Sequence, residues 1–470
     1  MSATATTEKK YLKWYQKLAY GSGDLVSNCS YGLVSSFVLL YLTGTLGLDS
    51  AIIGSLMLAS KVLDGISDVI FGTLIDRTHS KLGKARPWML FGQVGVSLCL
   101  FLLFAIPAGS TTMQYIYFFI VYTALNAVFY TANGIAYSSL VALITKNNNE
   151  RVQLGSFRFM FAVVTNIFMG FAVTGMVEKF GSGAAGWRTT ALIFAIVGLV
   201  VNTISCLAVK ELPEEELSGN TSEAAEEGKA VAEEKKHGFA ETAKILVHNK
   251  YYLMILAIYI VYYIMSNLTT GAGVFCATYY WGDGSLLGQF SMMKMFPVII
   301  ALAIAPVLIK KTGSMQKVNF WGYAISSVLG IPMIYFAMQK NLSMFLLFMF
   351  IKGIFAGTLS GSLNALIAEA SGYTTRTTGI HMDGMMYSCS SLGVKVGGGI
   401  GTAAVGWLLK LGGFVGTATV QSESAIRMIF NLYITFPFVI GIIITVLLAF
   451  LDVEKANKKW DAEHQKEAQA

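Results

Sequence analysis

The chain has 470 residues, of which 54% are hydrophobic and only 13% charged, and its mean hydropathy is +0.59. No water-facing surface tolerates that balance at this length, which excludes a soluble globular enzyme and makes lipid the expected solvent for most of the surface. The formal net charge of +7 does not call for a nucleic-acid partner, because its placement along the chain has a simpler account.

A spanning helix needs ~20 mostly apolar residues, since its backbone polar groups must be satisfied internally across the bilayer core. The N-terminal segment MSATATTEKKYLKWYQK, residues 1–17, is polar and basic and lacks the pattern of a cleaved signal peptide. Apolar runs then predict spans at 18–44, 50–75, 88–109, 114–145, 155–177 and 189–209, a first six-helix bundle over 18–209. Residues 210–250, rich in Glu, Ala and Lys around KELPEEELSGNTSEAAEEGKAVAEEKKHG, read as a solvated linker or a docking site for a regulator. Further spans at 251–281, 287–309, 318–338, 342–371, 379–409 and 428–452 make a second bundle over 251–452, followed by a tail at 453–470. Runs longer than the bilayer imply tilt or extension past the interface.

With these boundaries 24 Lys and Arg fall in the N-terminal segment, the even-to-odd loops, the linker and the tail, against five on the other side. That bias predicts both termini in the cytoplasm of a multi-pass inner-membrane protein, with the positive charge at the inner surface. The halves also show a faint repeat. Loop 2–3, GTLIDRTHSKLGKARPW, and loop 8–9, APVLIKKTGSMQKVNF, both join an apolar helix end to a basic turn. Repeated halves with a substrate site near the midplane are how many transporters are built.

Charges inside spans carry the chemistry, because an ionised group in lipid is costly unless it lines a cavity or meets a partner. Helix 2 holds Lys61, Asp64 and Asp68 in SKVLDGISDVIFG, spaced to share one face, with the Ser67 hydroxyl beside them. Two carboxylates a turn apart suit a monovalent cation, since hard cations prefer oxygen ligands, and they suit a shared proton equally. Helix 1 adds Asp24 between Gly21, Gly23 and a polar turn, helix 5 adds Arg158, and helix 11 adds Lys395 in GVKVGGG. An Arg fork suits sugar hydroxyls or carboxylates, and a Lys can bridge acids in one state and release them in another. The glycines around Lys395 lie in an apolar helix, so they read as sites of close helix contact and not as a phosphate loop. Lys294 in SMMKMFP is a candidate to neutralise an anionic substrate, whereas Lys352, Glu369 and Asp383 have no evident role, the two acids flanking loop 10–11 as a possible gate.

An enzyme would want a nucleophile–base pair or metal-spaced histidines. The five His (His79, His237, His248, His381, His464) fall in loops, tails or helix ends without HExxH spacing, and the five Cys are scattered through apolar segments as packing residues. No metal or cofactor is therefore expected beyond a coupling ion, Na⁺ or H⁺.

The segments GSGDLVSN, LDGISDVIFG followed by DRTHSKLGKARPW, YTANGIAYSSLVALIT, FRF and YSCSSLGVKVGG resemble the glycoside–pentoside–hexuronide:cation symporters, along the whole chain. The resemblance implies an all-α membrane protein of twelve transmembrane helices in two pseudo-symmetric six-helix bundles, the major facilitator-type fold. It implies cation binding at Asp64, Asp68, Ser67 and Thr131, and substrate binding at Asp24, Arg158 and Lys395. The family's melibiose-transporting member grips its sugar with an Asp and, four residues on, a Trp in helix 4. Here those positions are Gly134 and Ser138, and the neighbouring Asn133 and Tyr137 are the candidates to substitute. Ser67 stands where that member has Asn, so Na⁺ and H⁺ both stay open. The expected function is cation-coupled symport of a glycoside, pentoside or hexuronide by alternating access. A uniporter or exchanger on the same fold, and more remotely a transporter-derived sensor or membrane enzyme, are the alternatives.

Overall fold

The computed structural model describes residues 9–213, 239–380, 383–418 and 420–467. Most of the expected linker, the first residues of the N-terminal segment, His237, His381 and the end of the tail lie outside them. The described secondary structure is helical throughout. Among the described residues eleven helices are long and apolar enough to cross a membrane: α1 (Trp14–Thr45), α3 (Arg86–Leu103), α4 (Thr111–Ile144), α5 (Asn148–Lys179), α6 (Gly183–Leu207), α7 (Lys250–Tyr280), α8 (Leu286–Thr312), α9 (Met315–Met338), α10 (Leu342–Thr378), α11 (Met385–Leu411) and α12 (423–450). A further helix, α2 (Ser50–Asp76), has the length to cross at 27 residues and carries Lys61, Asp64 and Asp68. Counting it gives the twelve helices expected.

α2 shows why it belongs in the membrane despite its charges. Asp64 is 5% exposed, while Val62, Ile66, Val69 and Ile70 are between 53% and 73% exposed. Such a helix, with carboxylates inward and β-branched side chains outward, is unstable in water but satisfied in lipid. It starts at Asp49, whose carboxylate accepts from the backbone N–H groups of Ala51 and Ile52.

Two compact units are present. The first comprises Met1–Asn220 with Asp283–Gly288 and Leu409–Ser422, and the second Thr221–Gly282, Gln289–Leu408 and Glu423–Ala470. Each has its own apolar core: Tyr20, Met89, Ala136, Leu140 and Leu154 lie at the centre of one in the first, and Ile258, Leu359, Leu366, Ile444 and Leu448 in the second. Several expected boundaries move. The expected span 379–409 begins six residues early, because Gly379 takes a left-handed conformation (φ 72°) that closes α10. Glu369 is therefore inside α10, where its carboxylate accepts from Asn457 of the tail helix Val453–Glu467 at 2.9 Å.

The faint loop repeat has a structural counterpart. Glu211, just past α6, accepts from the backbone N–H groups of Lys84, Ala85 and Arg86 at 2.7, 3.0 and 3.0 Å, capping α3, while Arg86 donates to the Cys206 carbonyl of α6. Glu454, just past α12, accepts from Ser314 Oγ at 2.5 Å and Gln316 N at 2.9 Å at the start of α9, while Gln316 donates to the Leu448 carbonyl of α12. In each unit an acid after the last helix satisfies the orphan donors that open the third.

Glu211→Ala should strand three backbone donors and lower stability by about 1–3 kcal/mol. Thermal unfolding of the purified protein in detergent checks this, with Glu211→Gln falling between the variant and the parent.

Candidate functional site

Eight of the ten residues expected to bind ion or substrate lie in the first unit, and seven of them form two clusters. In the first cluster Asp24 of α1 meets Arg158 of α5, with Arg158 Nε 2.5 Å from Asp24 Oδ2 and Nη2 3.5 Å from Oδ1. The side chains keep 15% and 25% of their surface exposed, so the pair is mostly, not wholly, desolvated. The guanidinium also lies 4.3 Å from the centre of the Tyr137 ring, a cation–π contact. Tyr137 in turn stacks on Tyr20 at 4.7 Å, and each ring's hydroxyl donates to the other's backbone carbonyl. Gly23 permits this approach, because a Cβ there would lie 2.7 Å from the Tyr137 ring. Nearby, Asn28 donates to the Asp24 carbonyl and Asn166 of α5 donates to Asn28 Oδ1.

The second cluster is built on α2 and α4. Thr131 Oγ1 donates to Asp64 Oδ1 at 2.7 Å, and Lys61 Nζ lies 3.5 Å from Asp64 Oδ2. Thr131 follows a π-helical turn, Ala124–Tyr130, and its hydroxyl also reaches the Asn126 carbonyl five residues back at 2.9 Å. That wider turn, a feature frequent at functional sites, leaves a carbonyl oxygen beside the Asp64 carboxylate. Ser67 donates to the Asp64 backbone carbonyl at 2.9 Å. Asp68 is half-buried one turn on along the same face. Thr131 and Tyr137 are six residues apart on α4, so the two clusters are separated by about 9 Å along that helix.

The remaining expected residues are placed differently. Asn133 is buried and donates to the Met89 carbonyl at 2.7 Å and to Asn202 at 3.4 Å, tying α4 to α3 and α6. Tyr137 is 2% exposed and meets Arg158 from behind. Lys395 and Lys294 belong to the second unit. Lys395 lies in the π-helical turn Gly393–Gly397 of α11, where a Cβ on Gly397 would clash with the Ile260 carbonyl of α7. This is the close helix contact those glycines suggested. Lys294 of α8 donates to Thr269 and Thr270 of α7 at 3.3 and 3.1 Å.

Two features were not anticipated from the sequence. One is that Lys61 serves Asp64 directly, although its i, i+3 spacing was the available signal. The other is the Tyr20–Tyr137 stack behind Arg158, for which no local pattern exists.

Comparison with known proteins agrees with this architecture. A family model described as MFS/sugar transport protein matches residues 19–455. The isoprimeverose transporter of Lactiplantibacillus pentosus is 26% identical over 98% of this chain and 93% of its own length. A putative glycoside/cation symporter of Escherichia coli (strain K12) is 23% identical over 94% of this chain and 92% of its own. Among solved structures, a D-xylose-proton symporter has the same fold, with a TM-score of 0.64 at 12% identity over 94% of this chain and 98% of that one.

A partly desolvated pair such as Asp24–Arg158 is destabilised more by losing one partner than by losing both. Asp24→Asn and Arg158→Gln should each lower stability by on the order of 2 kcal/mol, and the double variant by clearly less than the sum. A double-mutant cycle on thermal unfolding measures the difference.

Proposed function

Because this chain belongs to the MFS/sugar transport protein family, we propose that it is a secondary active transporter that couples Na⁺ or H⁺ to uptake of a glycoside, pentoside or hexuronide by alternating access, with both termini cytoplasmic. The observation that carries this reading is the Lys61–Asp64–Thr131 cluster with Asp68 one turn away. The names of the two relatives, a sugar transporter and a putative glycoside/cation symporter, support a sugar and a cation.

In the empty site the Lys61 ammonium neutralises Asp64. An arriving cation replaces that ammonium. As Na⁺ it would take oxygens from Asp64, Asp68, Thr131 and the Ser67 hydroxyl, and as H⁺ it would neutralise one of the two acids. Either way the helix 2 face loses negative charge, so the loaded carrier reorients at lower cost than one carrying an uncompensated carboxylate. The sugar binds at the Asp24–Arg158 pair, where the carboxylate accepts from hydroxyls and the guanidinium donates to them. Because Tyr137 links Arg158 to the helix that carries Thr131, each ligand's binding favours the other's, a reciprocal coupling. A membrane potential of ~100 mV contributes ~2.3 kcal/mol per charge moved, or roughly fifty-fold accumulation with one cation.

Asp64→Asn should abolish accumulation in proteoliposomes energised by an imposed ion gradient, while sugar binding persists. Thr131→Val should raise the cation concentration needed for half-maximal uptake by about tenfold, roughly the worth of one hydrogen bond to a charged group. Parallel assays under Na⁺ and H⁺ gradients identify the ion. Undiminished concentrative uptake by Asp64→Asn would remove the cation-site assignment, and uptake indifferent to every gradient in the parent protein would identify an exchanger or uniporter.

A further inference from the structure

In the first unit each cluster pairs a basic with an acidic side chain: Arg158 with Asp24, and Lys61 with Asp64. The second unit differs. Its transmembrane helices α8 and α10 carry Lys294 and Lys352, and both residues line one half-open cavity of about 190 Å³ between that unit's own helices. The two lysines stand at the same level of adjacent helices. Gly353, next to Lys352, packs so closely on α8 that a Cβ there would lie 2.8 Å from Pro297 and 3.6 Å from the carbonyl of Met293, the residue before Lys294.

Among the described side chains no carboxylate neutralises either ammonium. The acids of this unit with described side chains are committed elsewhere: Glu369 to Asn457, Glu454 to Ser314 and Gln316, Asp452 to Lys250, Asp461 to Arg376, Glu463 to Lys459, and Glu423 to Arg427. Among the described residues Lys294 finds only the neutral oxygens of Thr269 and Thr270, whose own protons go to backbone carbonyls, and no hydrogen bond or ion pair engages Lys352. Two partly buried ammonium groups lining one cavity without a counter-charge are costly, and a bound anion lowers that cost. The rest of the lining is mostly apolar, with walls of methionine and aromatic side chains, and its hydroxyl-bearing residues include Tyr262, Ser266, Ser326, Ser327 and Ser360, of which Tyr262 and Ser360 hydrogen-bond to each other at 2.7 Å. The volume is more than ten times the roughly 10–15 Å³ that one water requires, enough for a ligand and not merely a bridging solvent molecule.

We propose that Lys294 and Lys352 form an anion-binding subsite in the second unit that takes the carboxylate of a polyhydroxylated acid, the surrounding hydroxyls pairing with those of the ligand. This rests on reading the chain as a sugar carrier and adds to it a charge preference that the neutral Asp24–Arg158 pair does not supply.

The test is a ligand titration of the purified full-length protein in nanodiscs, followed by thermal shift. Glucuronate is compared with glucose and galacturonate with galactose, and inorganic phosphate forms a third arm. At least one sugar acid should bind about tenfold tighter than its neutral counterpart. Lys294→Gln with Lys352→Gln should bring that ratio below about threefold, and the two Lys→Arg substitutions together should retain most of it. Should the double Gln variant fail to elute as a single species, each single Gln substitution should reduce the ratio by itself. The proposal is overturned if no acid outcompetes its neutral counterpart, or if the preference survives loss of both ammonium groups. A phosphate response equal to that of the sugar acids, lost in the same variants, identifies an inorganic-anion site and overturns the sugar-acid assignment. Gradient-driven uptake is measured separately on the parent protein, so failure of the coupling reading is told apart from failure of this subsite.

Discussion

The cost of holding charge away from water governs how this protein is put together. In the first unit that cost is met by pairing. Arg158 closes on Asp24 and is backed by the Tyr137 ring, while Lys61 and the Thr131 hydroxyl share the Asp64 carboxylate. These pairs decide which way α2 faces, since a rotation that brought Asp64 to lipid would expose an unpaired carboxylate and bury Val69 against polar neighbours. They also explain the Gly23 position, where any side chain would push Tyr137 away from the guanidinium it supports.

A pair that is satisfied without ligand and can be satisfied differently with one is the physical basis for a switch. Asp64 is suited to this because its partners differ in kind. Lys61 supplies a full positive charge from the same helix, and Thr131 supplies a neutral oxygen from α4 that can donate to a carboxylate or coordinate a cation. The π-helical turn before Thr131 sets its hydroxyl against the Asn126 carbonyl, which also accepts from the Thr131 backbone N–H. The second unit meets the same cost in another way, leaving Lys294 and Lys352 to hydroxyls and to a cavity.

The two units share a device at the ends of their helices. Glu211 caps α3 and Glu454 caps α9, each from just beyond the last helix of its own unit, and in both an adjoining polar side chain, Arg86 or Gln316, also reaches back to a carbonyl of that helix. The loops they hold differ in sequence, GTLIDRTHSKLGKARPW against APVLIKKTGSMQKVNF, so the repeat survives as a hydrogen-bonding arrangement more clearly than as a string of residues.

Hydropathy alone determined the number and approximate position of the helices, because a bilayer demands ~20 apolar residues regardless of what those helices touch. It also singled out Asp24, Asp64, Asp68, Arg158, Lys294 and Lys395, since a charge within an apolar run is conspicuous without any knowledge of its neighbours. Helix ends were less legible. α5 runs from Asn148 where the apolar run begins at 155, because a helix continues past the lipid boundary on caps such as Asn147, which hydropathy does not register. Pairing could only be decided in three dimensions. That Asp24 meets Arg158, 134 residues away, that Thr131 belongs to Asp64, that Asn133 is spent on α3 and α6, and that Lys352 shares a cavity with Lys294 all depend on which helix faces lie together. The sequence shows that each charge must be compensated, but helix packing selects the compensating group.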